Sequence, residues 1–290
     1  MVKTWFQLIR PSNVLTAISD VLAGVALACL FLQSDLPQFQ SLIWITLSSM
    51  LLYTGGIVFN DVFDAELDRI ERPERPIPSG KIKKSSASIL GTLAFIIGCA
   101  LAYQVNITAF YVSLAIVLMC LLYNGKAKHH FLAGPIVMGT CRGLNLLLGM
   151  AVLPSALSYW YMAIIPIIYI ASVTNISRGE VYGNNKTAML VSVALYAIVI
   201  FTLLYFTYIS RHFLALIFIL LFTVMIATPL FRALKSLDPK DVRKSVKSGV
   251  LALILMNASW IALSGFWGLA IAICAILPIS ILLAKKFAVT

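Results

Sequence analysis

The sequence predicts an all-α fold, a polytopic bundle of nine or ten transmembrane helices. Three observations lead to this fold class. Hydrophobic residues make up 61% of the 290 residues, the mean hydropathy is +0.96, and apolar runs long enough to span the hydrocarbon core recur along the whole chain. No alternation of apolar and polar residues with a period of two points to a transmembrane barrel.

The predicted spans follow one another with short connections. We place eight of them at residues 13–33, 40–60, 86–104, 107–123, 131–153, 158–176, 187–209 and 212–232. The stretch 248–284 is too long for one helix at 1.5 Å per residue, and Gly265 and Gly268 offer a turn within it. It therefore predicts two further short spans, one of which is alternatively a half-helix. The favoured total is ten spans, with nine as the alternative.

The distribution of positive charge predicts the orientation. The 22 Lys and Arg residues outnumber the 11 Asp and Glu residues, and most of them lie near the N-terminus or in the loops after the second, fourth, sixth and eighth spans. This bias places the N-terminus and the polar loops in the cytoplasm, with Arg211 on the opposite side. Because the charge is spread over short loops, no nucleic-acid partner is expected.

The cysteines carry no sign of metal or redox chemistry. Cys29, Cys99, Cys120, Cys141 and Cys274 lie in apolar spans without a CxxC spacing. They are interpreted as small core residues, so neither a disulfide nor a zinc site is expected.

The strongest chemical signal is a group of carboxylates after the second span. Six of the chain's 11 carboxylates lie between residues 61 and 74. Asp61, Asp64 and Asp68 have the spacing i, i+3 and i+7, which places them on one face of a helix. They would repel one another without a cation, and Mg²⁺ prefers a few carboxylates together with phosphate oxygens. The spacing therefore predicts a magnesium site.

A stiff, basic segment follows these carboxylates. Pro73 biases Arg72 away from helical geometry, so the acidic helix should end there. Arg69, Arg72 and Arg75 beside a metal site are suited to clamping a polyphosphate. The alternative is an acidic helix end that is neutralised by its own arginines at the membrane surface.

A second polar motif occupies residues 175–186, after the sixth span. Its one carboxylate, Glu180, lies between Arg178 and Lys186. This motif is either a second contact for a metal or a diphosphate, facing the first motif, or an ordinary polar turn between helices. The sequence favours neither interpretation over the other.

Ionisable residues inside the spans are costly and usually face a cavity or a partner. Arg142 lies near the middle of its predicted span among small residues. It either reaches a bound anion or pairs with Asp20 or Glu180 as a structural contact.

The end of the fourth span is a further candidate. Tyr123 and Asn124 lie there beside Lys126 and Lys128, and these four residues can cover the same site from a third side.

Residues 60–80 resemble the UbiA superfamily of intramembrane prenyltransferases, whose first motif is an Asn-Asp-x-x-Asp-x-x-x-Asp run followed by Arg-Pro and Gly. The segment Arg10-Pro11-Ser12-Asn13 is similar to that family's opening. Ser-Arg-Gly-Glu at 177–180, taken with Cys-Arg-Gly-Leu-Asn at 141–145, is similar to the divergent EboC branch, which occurs in bacterial gene clusters. The resemblance covers most of the chain, which we interpret as a single domain over residues 1–290.

The resemblance implies a central cavity that opens to the cytoplasmic side of a bacterial inner membrane. Two acidic motifs would face each other there across Mg²⁺ and a prenyl diphosphate. The family has two or more aspartates in the second motif, whereas this chain offers Glu180 alone. Whether one or two magnesium ions bind is therefore left open. The implied metal ligands are Asp61, Asp64, Asp68 and Glu180, of which the three aspartates would also be catalytic. The diphosphate would be bound by Asn60, Arg72, Arg75, Lys126, Lys128, Arg142, Arg178 and Lys186. The rest of the substrate would be bound by Asn13, Asp20, Tyr123 and Asn145.

The leading functional hypothesis is Mg²⁺-dependent transfer of a prenyl group from a prenyl diphosphate to a small-molecule or lipid acceptor among the membrane lipids. The alternative is a scaffold that binds or transports a phosphorylated lipid or metabolite without catalysis. Release of diphosphate distinguishes the two hypotheses. The pattern does not bear on the oligomeric state.

Overall fold

The computed structural model describes residues 2–128, 130–177 and 186–287. These ranges contain helices and turns but no β-strand. The twelve α-helices are α1 (Val2–Ile9), α2 (Pro11–Leu32), α3 (Phe39–Phe63), α4 (Ala65–Glu71), α5 (Lys84–Val105), α6 (Ile107–Leu122), α7 (Ala133–Met150), α8 (Ile164–Ser177), α9 (Lys186–Ser210), α10 (Ala215–Ser236), α11 (Pro239–Leu263) and α12 (Trp267–Phe287).

The prediction of an all-α transmembrane bundle is confirmed. Nine helical segments among the described residues are long and apolar enough to cross a membrane. Two of them combine an α-helix with a neighbouring turn: α6 continues into a π-helical turn (Tyr123–Ala127), and α8 follows a 3₁₀ segment (Pro154–Ala163). Helix α7 has 18 residues and includes Arg142 and Asn145, which lower its apolar content, so it is not among the nine. The span at 131–153 and the total of ten stay predictions.

The last two helices are longer than the short spans predicted between 248 and 284. Helices α11 and α12 contain 25 and 21 residues. The predicted turn is present at Gly265, whose φ of +92° favours glycine, whereas Gly268 lies inside α12. Helix α11 begins early because Asp238 accepts a hydrogen bond from the Lys240 amide at 2.7 Å and Pro239 occupies the first helical position. This polar first turn precedes the apolar run on which the prediction rested.

Helices α2 and α11 have the largest buried share among the spans, and they pack against each other at the centre of the bundle. Helix α2 also packs closely against α7. A Cβ atom at Gly24 would overlap the Leu146 carbonyl oxygen, and one at Gly149 would overlap the Val21 carbonyl oxygen. These two glycines let the backbones approach, as small residues do between membrane helices. The contact fixes the position of α7 relative to the start of α2.

Helical hydrogen bonding continues from α3 through Asp64 into α4. The Asp64 amide donates to the Asn60 carbonyl at 3.0 Å, and the Asp68 amide donates to the Asp64 carbonyl at 2.8 Å. Helix α4 ends at Glu71, and Arg72 leaves helical geometry at φ −145° before Pro73, so the predicted end of the acidic helix is confirmed. The following loop is anchored by buried apolar side chains, Ile77 and Ile82 among them, which pack with Leu8, Val58 and Ala65.

Candidate active site

A cavity of about 490 Å³ lies between the start of α2, helices α3, α4, α6 and α7, and the loop after α4. Its lining combines charged groups with an apolar wall that includes Leu52, Ile57, Ile116 and Met138. The fold brings ten residues of the predicted site to this one cavity. They are Asn13, Asn60, Asp64, Asp68, Arg72, Arg75, Tyr123, Lys128, Arg142 and Asn145.

Each aspartate of the first motif contacts a basic side chain. Asp64 is ion-paired with Lys128. Arg75 Nη1 lies 2.6 Å from Asp68 Oδ2 and 3.6 Å from Asp61 Oδ1, and Asp61 also pairs with Arg10. The mutual repulsion expected from the sequence is therefore relieved by cations drawn from three separate segments.

The structure differs from the prediction for Asp61, whose side chain is 3% exposed and does not line the cavity. At 3.6 residues per turn, Asn60, Asp64 and Asp68 form a narrow stripe that faces the cavity, and Asp61 lies at the edge of that stripe. It turns instead towards Arg10 and Arg75. Its position indicates that it holds these two arginines in place.

The described residues contain no group of three His, Cys, Asp or Glu side chains that is close enough to hold a metal by itself. The cavity does present hard oxygen donors on one stripe, the carboxylates of Asp64 and Asp68 and the amide of Asn60. This partial set fits Mg²⁺, which is usually bound by one or two carboxylates together with substrate phosphate oxygens.

Arg75 lies at the cavity with a buried donor that its neighbours do not satisfy. The residue is 6% exposed and lines the cavity, yet its buried Nε has no hydrogen-bond partner among the described residues. A buried donor without an acceptor costs about 1–3 kcal/mol. Arg72 and Lys128 line the cavity together with Arg75, and such a set of basic donors fits a phosphorylated ligand.

The π-helical turn at the end of α6 decides which lysine reaches the cavity. The Lys128 amide donates to the Tyr123 carbonyl, five residues earlier, at 3.1 Å. This wider turn, a geometry that is frequent at functional sites, directs Tyr123, Asn124 and Lys128 to the cavity. Lys126 is exposed and does not line it.

Arg142 and Asp20 form a buried ion pair, one of the alternatives that the sequence left open. Arg142 Nη1 lies 2.5 Å from Asp20 Oδ2, and Arg142 Nη2 donates to Tyr53 Oη at 2.7 Å and to Thr16 Oγ1 at 2.8 Å. Asp20 also accepts a hydrogen bond from Asn257 at 2.7 Å.

Only one member of this pair lines the cavity, namely Arg142. The structure places Asp20 behind it, which differs from the prediction that Asp20 contacts substrate. The physical reason is that a carboxylate buried among helices needs its cation, and Arg142 supplies that cation.

The described residues of the second motif, 175–177 and Lys186, do not line the cavity. Arg178 and Glu180 are outside the described residues. Lys186 begins α9, is exposed, and does not line the cavity.

The polar residues of the cavity that the sequence reasoning missed include Arg10, Tyr53 and Glu71. Two of them had a usable signal: Tyr53 lies seven residues before Asn60, and Glu71 seven after Asp64, so both share the helical face of the motif. The sequence indicated Arg10 only as part of the segment Arg10-Pro11-Ser12-Asn13 and not as a residue of the site. Asn124, which the sequence placed beside the site together with Tyr123, does line the cavity.

Comparison with known proteins gives consistent results. Residues 21–249 match the UbiA prenyltransferase family. The chain is 32% identical over 148 residues to digeranylgeranylglyceryl phosphate synthase of Sulfurisphaera tokodaii, covering 51% of this chain and 52% of the relative. It is 35% identical over 150 residues to the synthase of the same name from Saccharolobus solfataricus, covering 51% of each chain. The chain thus spans about half the length of the curated relatives it matches.

Two solved structures share the fold. A UbiA homologue from Aeropyrum pernix matches with a TM-score of 0.71 at 16% identity, over 85% of this chain and 96% of the homologue. A UbiA homologue from Archaeoglobus fulgidus, bound to GPP and Mg²⁺, matches with a TM-score of 0.64 at 16% identity, over 90% and 99%.

These matches do not address the EboC-like branch, which stays a prediction. The family match extends over more than half of the chain and includes the whole first motif and the cavity-lining part of α7. The chain therefore belongs to the UbiA prenyltransferase family.

Proposed function

We propose that the protein transfers a prenyl group from a prenyl diphosphate to an acceptor within the membrane, and that it requires Mg²⁺. The observation that carries this proposal is the lining of the cavity, which combines the basic side chains of Arg72, Arg75 and Lys128 with oxygen donors on α3 and α4 and with an apolar wall. Family membership supports the proposal, as do the names of the relatives and the GPP and Mg²⁺ bound by the Archaeoglobus fulgidus homologue.

The basic residues of the cavity would hold the diphosphate. Arg72, Arg75 and Lys128 come from two segments and can contact different oxygens of one polyphosphate. Asn60, Asp64 and Asp68 would hold Mg²⁺. When bound, this ion neutralises charge on the phosphate oxygens.

The reaction is a heterolytic substitution at the allylic carbon. The carbon–oxygen bond of the prenyl diphosphate breaks, and the diphosphate departs with the electron pair while the arginines and the lysine stabilise its charge. The nucleophile of the acceptor supplies the electron pair of the new bond and loses its proton. The apolar wall around Leu52, Ile57 and Met138 accommodates the prenyl chain and keeps water from the allylic carbon.

The acceptor is a small molecule or a lipid. Because the matched relatives are named digeranylgeranylglyceryl phosphate synthases, a glyceryl phosphate lipid is the first acceptor to test. We further propose that the protein lies in a bacterial inner membrane with its N-terminus and the cavity mouth in the cytoplasm. The excess of Lys and Arg in alternate loops supports this orientation.

The proposal is tested by diphosphate release from the purified protein in detergent, using prenyl diphosphates of several chain lengths and a membrane lipid extract as the source of acceptor. Release should require Mg²⁺ and should be lost in Asp64→Ala. Glu74→Ala removes an exposed carboxylate of the same segment that does not line the cavity, so this control should retain activity. Saturable binding without release would instead support the carrier alternative.

A further inference from the structure

Asn124 uses both polar atoms of its amide on neighbours beside the cavity. It lies in the π-helical turn and is 4% exposed. Its Nδ2 donates to the Gly56 carbonyl oxygen on α3 at 3.1 Å, and its Oδ1 accepts from Asn60 Nδ2 at 3.0 Å. Gly56 permits this approach of α6, because a Cβ atom there would lie 3.1 Å from Cys120 Sγ.

These contacts fix the orientations of two side-chain amides, first that of Asn124 and then that of Asn60. The Gly56 carbonyl can only accept a hydrogen bond, so the amino group of Asn124 must face it. The oxygen of Asn124 then faces Asn60 and can be satisfied only by the amino group of Asn60. The Asn60 oxygen is thereby turned away from Asn124, and it has no hydrogen-bond donor among the described residues. Asn60 lines the cavity on the same stripe as Asp64 and Asp68.

We propose that Asn124 is a positioning residue, which fixes Asn60 so that its carbonyl oxygen, rather than its amino group, is offered to a divalent cation beside Asp64 and Asp68. This inference rests on the proposed function, since the cation is the Mg²⁺ that accompanies the prenyl diphosphate. Carbonyl and carboxylate oxygens are the protein ligands that hard cations prefer, whereas an amino group facing a cation would repel it. Asn124 acts through Asn60 and does not itself touch the substrate.

The test is the Mg²⁺ dependence of geranyl diphosphate binding, measured at equilibrium on purified protein in detergent. Asn124→Leu removes both hydrogen bonds at similar volume and frees the Asn60 amide to rotate. Loss of a residue that orients a metal ligand typically lowers metal affinity about 10- to 100-fold. The half-saturating Mg²⁺ concentration should therefore rise by about tenfold or more.

Repeating the measurement in the Asn60→Asp variant separates a positioning role of Asn124 from a general structural role. Asn60→Asp carries an oxygen on both sides of its carboxylate, so it offers a ligand whichever way it turns. In this background, adding Asn124→Leu should change the half-saturating Mg²⁺ concentration by less than about threefold, because the two residues act through one interaction. Asn106→Leu is the matched control: Asn106 caps α6 and donates to the Ala151 carbonyl at 2.9 Å, away from the cavity. Its loss should leave the Mg²⁺ dependence unchanged.

The results that overturn the inference are distinct. If Asn124→Leu raises the half-saturating Mg²⁺ concentration equally in the wild type and in Asn60→Asp, Asn124 supports only the fold. If it raises that concentration in neither protein, Asn60 needs no positioning. In both cases Mg²⁺-dependent binding by the wild type leaves the proposed function standing. Binding by the wild type that ignores Mg²⁺ overturns the proposed function and this inference together. If Asn124→Leu does not fold, Asn124→Ala removes the same bonds without adding a branched side chain and is held to the same expectations.

Discussion

Replacing Arg75 with lysine should weaken prenyl diphosphate binding while leaving the fold intact. Lysine keeps a positive charge between Asp61 and Asp68 but lacks the planar fork of donors, including the buried Nε that has no partner among the described residues. One hydrogen bond to a charged group contributes about 1.5–3 kcal/mol. At 25 °C this range corresponds to a rise of about 10- to 150-fold in the dissociation constant for geranyl diphosphate at saturating Mg²⁺.

Arg75→Leu should behave differently, because it removes the charge. The Asp68 side chain is 5% exposed and has Arg75 as its ion-pair partner, whereas Asp61 keeps Arg10. Removing one partner of a buried pair costs about 3–5 kcal/mol. Thermal unfolding in detergent should therefore show a clear loss of stability for Arg75→Leu and little for Arg75→Lys. Wild-type affinity in Arg75→Lys, or wild-type stability in Arg75→Leu, would refute this reasoning.

Three further predictions follow from the same contacts. Lys128→Ala should weaken geranyl diphosphate binding by about tenfold or more, whereas Lys126→Ala, outside the cavity, should bind like the wild type; equal losses in the two would contradict the role of the π-helical turn. Asp20→Leu should lower the free energy of unfolding by about 3–5 kcal/mol, because it leaves Arg142 buried without its partner. The double variant Asp20→Leu with Arg142→Leu should recover part of that loss. If the effects of the two single variants simply added in the double variant, the result would argue against the pair. Gly149→Leu should prevent folding by forcing α2 and α7 apart. Gly268→Ala is the control, because a Cβ atom there meets no atom within 4 Å. In thermal unfolding it should melt at the wild-type temperature or above it.

Much of the fold was predictable because hydrocarbon spans leave a strong local signal. Apolar runs located the spans, and the restriction that Pro73 places on Arg72 located the end of the acidic helix. The start of α11 was missed because its first turn is polar and is set by Asp238 and Pro239 rather than by apolar residues.

The site was predictable to the extent that it depends on helical spacing. Asp64, Asp68 and Asn60 share a face that any regular helix would give them. Asp61 could not be assigned in this way, since it lies at the edge of the face and its direction depends on Arg10, 51 residues earlier in the chain. The choice between Lys126 and Lys128 depends on a hydrogen bond across five residues, which the sequence of the turn does not reveal.

The Asp20–Arg142 pair was open to two interpretations for a related reason. Sequence shows that two ionisable residues lie in apolar spans but not whether those spans touch. The glycines at 24 and 149 permit the contact between α2 and α7, and this contact brings the two charges together and leaves Arg142 at the cavity wall.

The most direct test of the central claim is to follow the prenyl group itself. Purified protein would be incubated with radiolabelled geranyl diphosphate, Mg²⁺ and a membrane lipid extract, and label and released diphosphate would be measured together. Prenyl transfer predicts that label moves into a new lipid-soluble product in a one-to-one ratio with released diphosphate, and that both signals disappear in Asp64→Ala. Label that stays in intact diphosphate, or that appears only as the free prenyl alcohol, would contradict prenyl transfer.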